Sequence, residues 1–365
     1  RYSAATMNYK VIQWATGSMG KTCLRAIIDH PSMELVGLFV YSPGKVGLDA
    51  GEIARRDTTS VIATDNIEDI LQLDADIVLH TAQIQAPYSF HNDDICRLLA
   101  SGKNVISING HSYPQYWGDD YSAPILEACQ QGNSSLFGCG FNPGFVAEKI
   151  ATIATGVCLE LDHIEITEVV ECNVMQNPAY VFDTLGFGSP CDELDPNDVD
   201  WKPAQILNGM YAEVVAHLVE RLGFKLEAVE TDHVIYPASG DIRMAAGVIK
   251  QGTVSHANWR WHGIVGGRCL VTQSIHWIME TAHLADPNHT TWTVRVKGLP
   301  SMDITMDLKN PVDHQFKTTP EQYGVAGSLI NAIPAVVAAP PGIRELPLAD
   351  LFRSPESWGR SKVPQ

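Results

Sequence analysis

Thr16-Gly17-Ser18-Met19-Gly20 is the segment of this chain best able to do chemistry with its backbone. With Ala15 in the first position, Gly17 and Gly20 complete the spacing G-x-G-x-x-G. The missing side chain at Gly17 lets the backbone approach a pyrophosphate, and the missing one at Gly20 lets a helix close on a strand. The helix start adds unpaired N–H groups and the positive end of its dipole. Farther along, Gly110-His111-Ser112-Tyr113-Pro114 carries two groups able to give a proton to a carbonyl oxygen or imine nitrogen, His111 and Tyr113. His80 suits a structural or cofactor-side contact, with catalysis the lesser alternative, and Thr81, Ala82 and Asn109 are cofactor-side candidates.

These residues need elements to hold them. Residues 9–15 are an apolar run, as a buried parallel strand would be. In 21–30, Leu24, Ile27 and Ile28 fall at helical spacing, and Pro31 stops the helix; 35–41 is a second strand. A glycine pattern alone also fits a purely structural turn, but between a strand and a helix it points to a Rossmann dinucleotide-binding domain. The second strand ends in Tyr41-Ser42-Pro43-Gly44-Lys45, with no acidic residue for a ribose 2′-hydroxyl. Ser42 and Lys45 suit a 2′-phosphate, so NADP is the expected cofactor, with Asp49 keeping NAD open. Then come a short helix at 67–73, a fourth strand at 75–82 and a helix at 93–101 ended by Gly102. A fifth strand at 103–109, a helix at 124–131 and a sixth strand at 135–140 follow. The loops 80–83, 109–113 and 142–145 therefore share the carboxyl edge of the sheet, where open α/β folds bind ligands.

From Leu161 the pattern changes. Residues 163–171 alternate apolar and polar, the period of a sheet with one open face. Further strands are expected at 229–235, 246–255, 269–277, 291–296 and 302–306, with helices at 208–222 and 322–337. This describes an α+β domain on an open antiparallel or mixed sheet. The expected boundaries are 7–147 for the Rossmann domain and 148–320 for a substrate and dimerisation domain, with 321–365 packing back on the first. Glu168 and Glu171 lie on the alternating strand, as candidate acids or as a solvated sheet face. Tyr180, Phe182, Phe187, Trp259, Trp261, Trp277 and Trp292 supply apolar surface for a hydrocarbon substituent, although most would be core. Asp183 and Arg260 are weaker polar candidates.

The formal charge of −17 over 365 residues argues against nucleic acid or anionic membrane, both of which need a basic face. No apolar run reaches the roughly 18 residues that span a bilayer. The eight cysteines form no C-x-x-C pair, so no structural metal is expected and reduced thiols in a cytoplasmic protein are the simplest reading. Residues 1–6 lack the apolar centre of a secretory signal, and Met7 is the expected start.

Three segments together carry a resemblance: Val11 to Gly20, Phe141-Asn142-Pro143-Gly144-Phe145, and Asn331-Ala332-Ile333-Pro334-Ala335-Val336. In this order and spacing they resemble a family related to dihydrodipicolinate reductase, one that includes 2,4-diaminopentanoate dehydrogenase and the native amine dehydrogenases. The resemblance implies a Rossmann domain, a second domain over the nicotinamide, a homodimer, and reductive amination of a ketone or aldehyde with ammonia and NAD(P)H, or its reverse. It implies cofactor contacts at Thr16, Gly17, Ser18, Met19 and Gly20, and nicotinamide-side contacts at Asn142, Pro143 and Asn331. Phe145, Glu168 and Tyr180 are the substrate-side candidates. One departure stands out: amine-forming relatives carry a glutamate just after the fifth strand, and Asn109 to Pro114 holds no carboxylate. His111 stands nearest that place. A neutral histidine can shuttle protons but cannot pair with an iminium cation. The alternatives are a carbonyl or imine reductase that does not use free ammonia, or a non-catalytic dinucleotide sensor.

Overall fold

A computed structural model describes residues 8–198, 200–314 and 317–345; the first and last residues of the expected domain limits, Met7 and 346–365, lie outside it. The chain divides into two units, each with its own core. The first holds the described residues up to Phe145 and those from Leu308 on; the second is Val146–Asp307.

The first unit is a Rossmann sheet. Its strands β1 (Tyr9–Trp14), β2 (Met33–Phe39), β3 (Ile77–His80), β4 (Asn104–Ser107) and β5 (Ser135–Gly138) are all parallel, and the strand Gly342–Arg344 pairs with β5. The order across the sheet is Gly342–Arg344, β5, β4, β3, β1, β2. The order reverses between β1 and β3, so the crevice for a ligand opens at their carboxyl ends. Strands covered on both faces are mostly apolar, and β3 and β5 are buried at every position, with His80 and Ser135 their polar exceptions. Helix α1 (Ser18–Asp29) follows β1, with Cys23, Leu24 and Ile27 fully buried. Burying each of the two larger aliphatics contributes about 1.5–3 kcal/mol. The helix Pro320–Val337 packs on α1. Its start is fixed by a capping box, Thr319 accepting from the Gln322 N–H and the Gln322 side chain accepting from the Thr319 N–H.

The second unit is a mixed seven-stranded sheet. It comprises β6 (Glu160–Glu171), β7 (Ala228–Thr231), β8 (Val234–Pro237), β11 (Val254–Val265), β12 (Arg268–Ile278), β13 (Trp292–Leu299) and β14 (Met302–Met306). A separate hairpin pairs β9 (Ile242–Met244) with β10 (Gly247–Ile249). Only β12 and β6 run parallel; the other pairs are antiparallel. The helix Lys202–Arg221 lies on one face. A Cβ at Gly263 would stand 2.9 Å from Val215, so the missing side chain sets how close that helix comes. Trp261 points to this face and donates to Asn208 Oδ1 at 2.9 Å. By the two-residue period, His262, Thr272 and His163 belong to the opposite, polar face.

Several expected limits move. The first unit ends at Phe145 rather than 147 and resumes at Leu308 rather than 321. β3 is the third strand of the sheet, not the fourth, because the stretch before it makes only isolated bridges, Phe39 with Thr64 and Asp49 with Ile62. The helix Asp119–Gly132 starts before Pro124 and carries it in its first two turns. The run 229–235 is two strands, broken at Asp232-His233, and 246–255 is β10, a turn and the first residues of β11. Most of β11 was not expected from the sequence. Its fully buried tryptophans and polar residues such as His256 and Asn258 hide the alternation a strand normally displays.

Candidate functional site

The Rossmann unit gathers its site at the carboxyl ends of β1, β3 and β4. Between β1 and α1 the chain turns through Ala15 at φ +72°, a left-handed conformation that glycine adopts more easily. Gly17 and Ser18 are exposed, and nothing lies within 4 Å of where a Gly17 Cβ would sit. A Gly20 Cβ would stand 2.2 Å from the Ala15 carbonyl oxygen and 2.8 Å from Thr81 Oγ1, so only glycine lets α1 close here. The N-terminus of α1 has no side-chain cap and no acidic residue in its first turn. Such an end suits an anion, and with the open backbone at Gly17 these residues fit a dinucleotide pyrophosphate.

Buried polar groups brace the turn. Gln13 donates to the Ala15 carbonyl at 2.9 Å, the Trp14 carbonyl at 3.1 Å and Thr81 Oγ1 at 2.8 Å, while Thr81 Oγ1 donates to the Trp14 carbonyl at 2.9 Å. Lys45, on the short turn after β2, donates to the Thr16 carbonyl at 3.0 Å and to Thr16 Oγ1 at 2.9 Å. Burial and the neighbouring Lys21 both lower the Lys45 pKa. Ser42 is exposed beside it, as is Tyr41, which accepts from Trp14 Nε1 at 2.9 Å. Asp49 is occupied elsewhere: its carboxylate accepts from the N–H groups of Gly51 (2.7 Å), Thr59 (3.0 Å) and Ser60 (2.8 Å). The Thr59 N–H leads these bonds in lowering its pKa. The expectation that Asp49 could hold a ribose hydroxyl is thereby corrected.

The β4 turn is also tightly held. Asn109 donates to the Ala82 carbonyl at 3.0 Å, joining the β3 and β4 loops, and its N–H donates to Ser107 Oγ at 3.1 Å. His111 sits at φ +64° with its ring buried. Its Nε2 lies 2.9 Å from Asn92 Oδ1, which can only accept, so Nε2 carries the proton; Nδ1 then accepts from Ser107 Oγ at 3.0 Å. Burial, with His91 nearby, lowers the His111 pKa to about 4. A neutral ring with both nitrogens engaged is a brace for the turn, which corrects the reading of His111 as the proton donor. Tyr113, two residues on, is partly exposed.

His80, expected as a structural or cofactor-side contact, has its ring fully buried against Trp14 and His91, with centroids 5.6 and 5.1 Å away. Asn142 and Pro143 lie in the segment Phe141–Ala151, where Asn142 has extended backbone within an otherwise helical run. Phe145 stacks on Phe141 at 5.5 Å. Asn331 is exposed in the middle of the helix Pro320–Val337, about 13 Å along it from Gln322 at 1.5 Å per residue. It is Gln322 that reaches the glycine turn, donating to Ser18 Oγ. Gln322 and Gln13 were not singled out from the sequence. Gln13 had a signal, a lone amide in an apolar strand, whereas Gln322 had none beyond its capping position.

In the second unit, Glu168 is buried and accepts from Trp292 Nε1 at 2.9 Å. Glu171 is exposed, 3.5 Å from His289, and Asp183 is exposed. Arg260 is paired with Asp232 at 2.7 Å. Tyr180 is half-exposed; Phe187, Trp259, Trp261 and Trp292 are core. Among the described residues no group of three or more His, Cys, Asp or Glu side chains is placed to hold a metal ion, and no helix is long and apolar enough to cross a membrane.

Comparison with known proteins adds independent findings. Residues 11–93 match the family model "Dihydrodipicolinate reductase, N-terminus". An amine dehydrogenase from Streptomyces virginiae is 25% identical over 345 residues, 91% of this chain and 93% of that protein. A 2,4-diaminopentanoate dehydrogenase from Acetoanaerobium sticklandii is 23% identical, covering 92% of each. The structure of amine dehydrogenase from Mycobacterium smegmatis superposes with a TM-score of 0.72 at 19% identity, covering 94% of this chain and 98% of that one. The chain thus has the two-part dehydrogenase fold over nearly its whole length.

Proposed function

We propose that this chain is an NADP(H)-dependent oxidoreductase of the amine dehydrogenase type, joining ammonia to a ketone or aldehyde under reduction and deaminating the amine in reverse. The observation that carries the reading is the uncapped start of α1 behind the open Gly17. The similarity to amine dehydrogenase over nine-tenths of the chain supports the substrate class. The NADP preference rests on Lys45 at Thr16, Ser42 beside it, and Asp49 bound within its own loop.

When bound, the dinucleotide supplies hydride to a C=O or C=N carbon. The chain's own residues do the rest. The N–H groups of Ser18, Met19 and Gly20 hold the pyrophosphate; Lys45 and Ser42 hold the ribose phosphate. Thr81 and Ala82 shape the crevice, and Asn109, tied to Ala82, keeps the β3 and β4 loops together. Asn142, Pro143 and Asn331 are assigned to the nicotinamide side, and Phe145, Glu168 and Tyr180 to the substrate. The proton required at the substrate oxygen or nitrogen is assigned to the Tyr113 hydroxyl, on the turn that His111 braces. The absence of C-x-x-C pairs supports a cytoplasmic location, and the resemblance supports a homodimer.

A second reading, reduction of a carbonyl or preformed imine without free ammonia, is favoured by the absence of a carboxylate from Asn109 to Pro114. A panel of ketones and aldehydes, followed by NADPH oxidation with and without ammonium, separates the two. Oxidation that requires ammonium supports amine formation; oxidation indifferent to it supports the second reading. No oxidation with any carbonyl, despite tight cofactor binding, points to a sensor.

A further inference from the structure

On the polar face of the second unit's sheet, a thiol stands in line with a histidine and a carboxylate. Cys269, at the start of β12, has its Sγ 3.7 Å from His262 Nδ1 on β11 and 3.3 Å from Thr272 Oγ1. His262 Nε2 lies 2.8 Å from Asp232 Oδ1, and Asp232 is anchored by Arg260 at 2.7 Å. A second imidazole completes the group: His163 Nε2, on β6, is 2.9 Å from Thr272 Oγ1. Nucleophile, base and orienting carboxylate are therefore in sequence, with a hydroxyl beside the sulfur. Cys269 is only half-buried. Nothing in the proposed reduction uses these residues.

We propose that Cys269 is a nucleophilic thiolate, held by His262 and Asp232, that exchanges with low-molecular-weight disulfides and is a reversible modification site of this protein. The thiolate attacks one sulfur of the disulfide. The bond between the two small thiols breaks, a Cys269–S bond to one of them forms, and the other leaves as a thiolate that takes a proton from solvent. Cys269 is oxidised and the departing thiol is reduced, so the step needs no other oxidant.

The electrostatics agree with the geometry. Burial pushes the Cys269 thiol up, but the hydrogen bonds from His163, His262 and Thr272 outweigh it and bring the pKa to about 6. The bond with Cys269 raises the His262 pKa in turn, against burial and with help from Asp232. The charged and titratable groups on the elements around the sulfur are His163 and Glu165 of β6, Arg260 and His262 of β11, Arg268 beside it, Glu230 of β7, and Asp232. Cys158 and Cys191 are also half-buried, yet burial raises both, and neither has an imidazole hydrogen-bond partner among the described residues. They are internal controls within the same molecule.

The test is alkylation of the full-length protein by iodoacetamide from pH 5 to pH 9, read at each cysteine by peptide mass mapping, with oxidised glutathione as the exchange probe. The Cys269 rate should change less than about twofold between pH 7 and pH 9, fall to half near pH 6, and at pH 6 exceed those of Cys158 and Cys191 by about tenfold. Oxidised glutathione should form an adduct at Cys269 that dithiothreitol removes and that Cys269→Ser abolishes. His262→Gln should move the midpoint toward the ordinary thiol value, and Asp232→Asn should move it the same way by less; should either variant misfold, the wild-type profile still decides. A Cys269 midpoint at about 8.5, the free-thiol value, or no adduct at Cys269, overturns the proposal.

Discussion

His111 holds a left-handed backbone, a buried ring and two hydrogen bonds at once, and each makes sense of the others. A non-glycine residue at positive φ costs on the order of 1 kcal/mol and persists only where the surroundings over-determine it. Here Asn92, Ser107 and Asn109 do so. His111→Ala should therefore act through stability, lowering the urea midpoint by an amount equivalent to about 2–3 kcal/mol because the Asn92 and Ser107 partners lose their bonds. Tyr113→Phe should leave cofactor affinity unchanged and lower kcat about 100-fold. Equal activity of Tyr113→Phe and wild type would remove Tyr113 from the mechanism. At the cofactor, Lys45→Ala should weaken NADPH binding by about tenfold, near 1.4 kcal/mol, while changing NADH little, as fluorescence titration of each would read. Residue types and strand-end positions single out Thr16, Gly20, Lys45 and Asn109 as candidates from the sequence. The occupancy of Asp49 and the neutral tautomer of His111 were not legible, because both depend on partners 10 to 19 residues away in loops without a periodic signal.

At the scale of elements, the β1–turn–α1 unit was the clearest part of the sequence, since an apolar strand, a glycine spacing and a helical period agree on one structure. Its one local conflict is Ala15, a Cβ-bearing residue in a left-handed conformation at φ +72°. Ala15→Gly should raise the free energy of unfolding by up to about 1 kcal/mol, measured by urea titration, with NADPH affinity retained. The strand β11 was the least legible element. Its buried face carries tryptophans and its other face buried polar groups such as His256 and Asn258, so neither face has the signature of an exposed strand side. The helix Pro320–Val337 was readable as a helix from its apolar spacing, but its role at the glycine turn was not, because the contact of Gln322 with Ser18 spans 304 residues of sequence.

At the scale of the whole molecule, acid should unfold the protein early. Burial leads the lowering of five histidines: His80 well below its ordinary value, His111, His233 and His276 to about 4, and His256 to about 3. The unfolded chain binds protons at these sites near pH 6.5 and the folded chain does not, so this stability is complete above about pH 6.5 and is lost as pH falls from there toward 4. A thermal-melt series should show Tm level near neutrality and dropping steeply below about pH 6; a flat profile down to pH 4 would mean these histidines are solvated in the native state. The central claim is the proposed ammonium-dependent reduction of a carbonyl. It is tested most directly by supplying NADPH, a ketone and ¹⁵N-labelled ammonium, and weighing the product. An amine carrying the heavy nitrogen, formed in proportion to NADPH consumed, is the expected product. An alcohol as the only product, at a rate independent of ammonium, would contradict it.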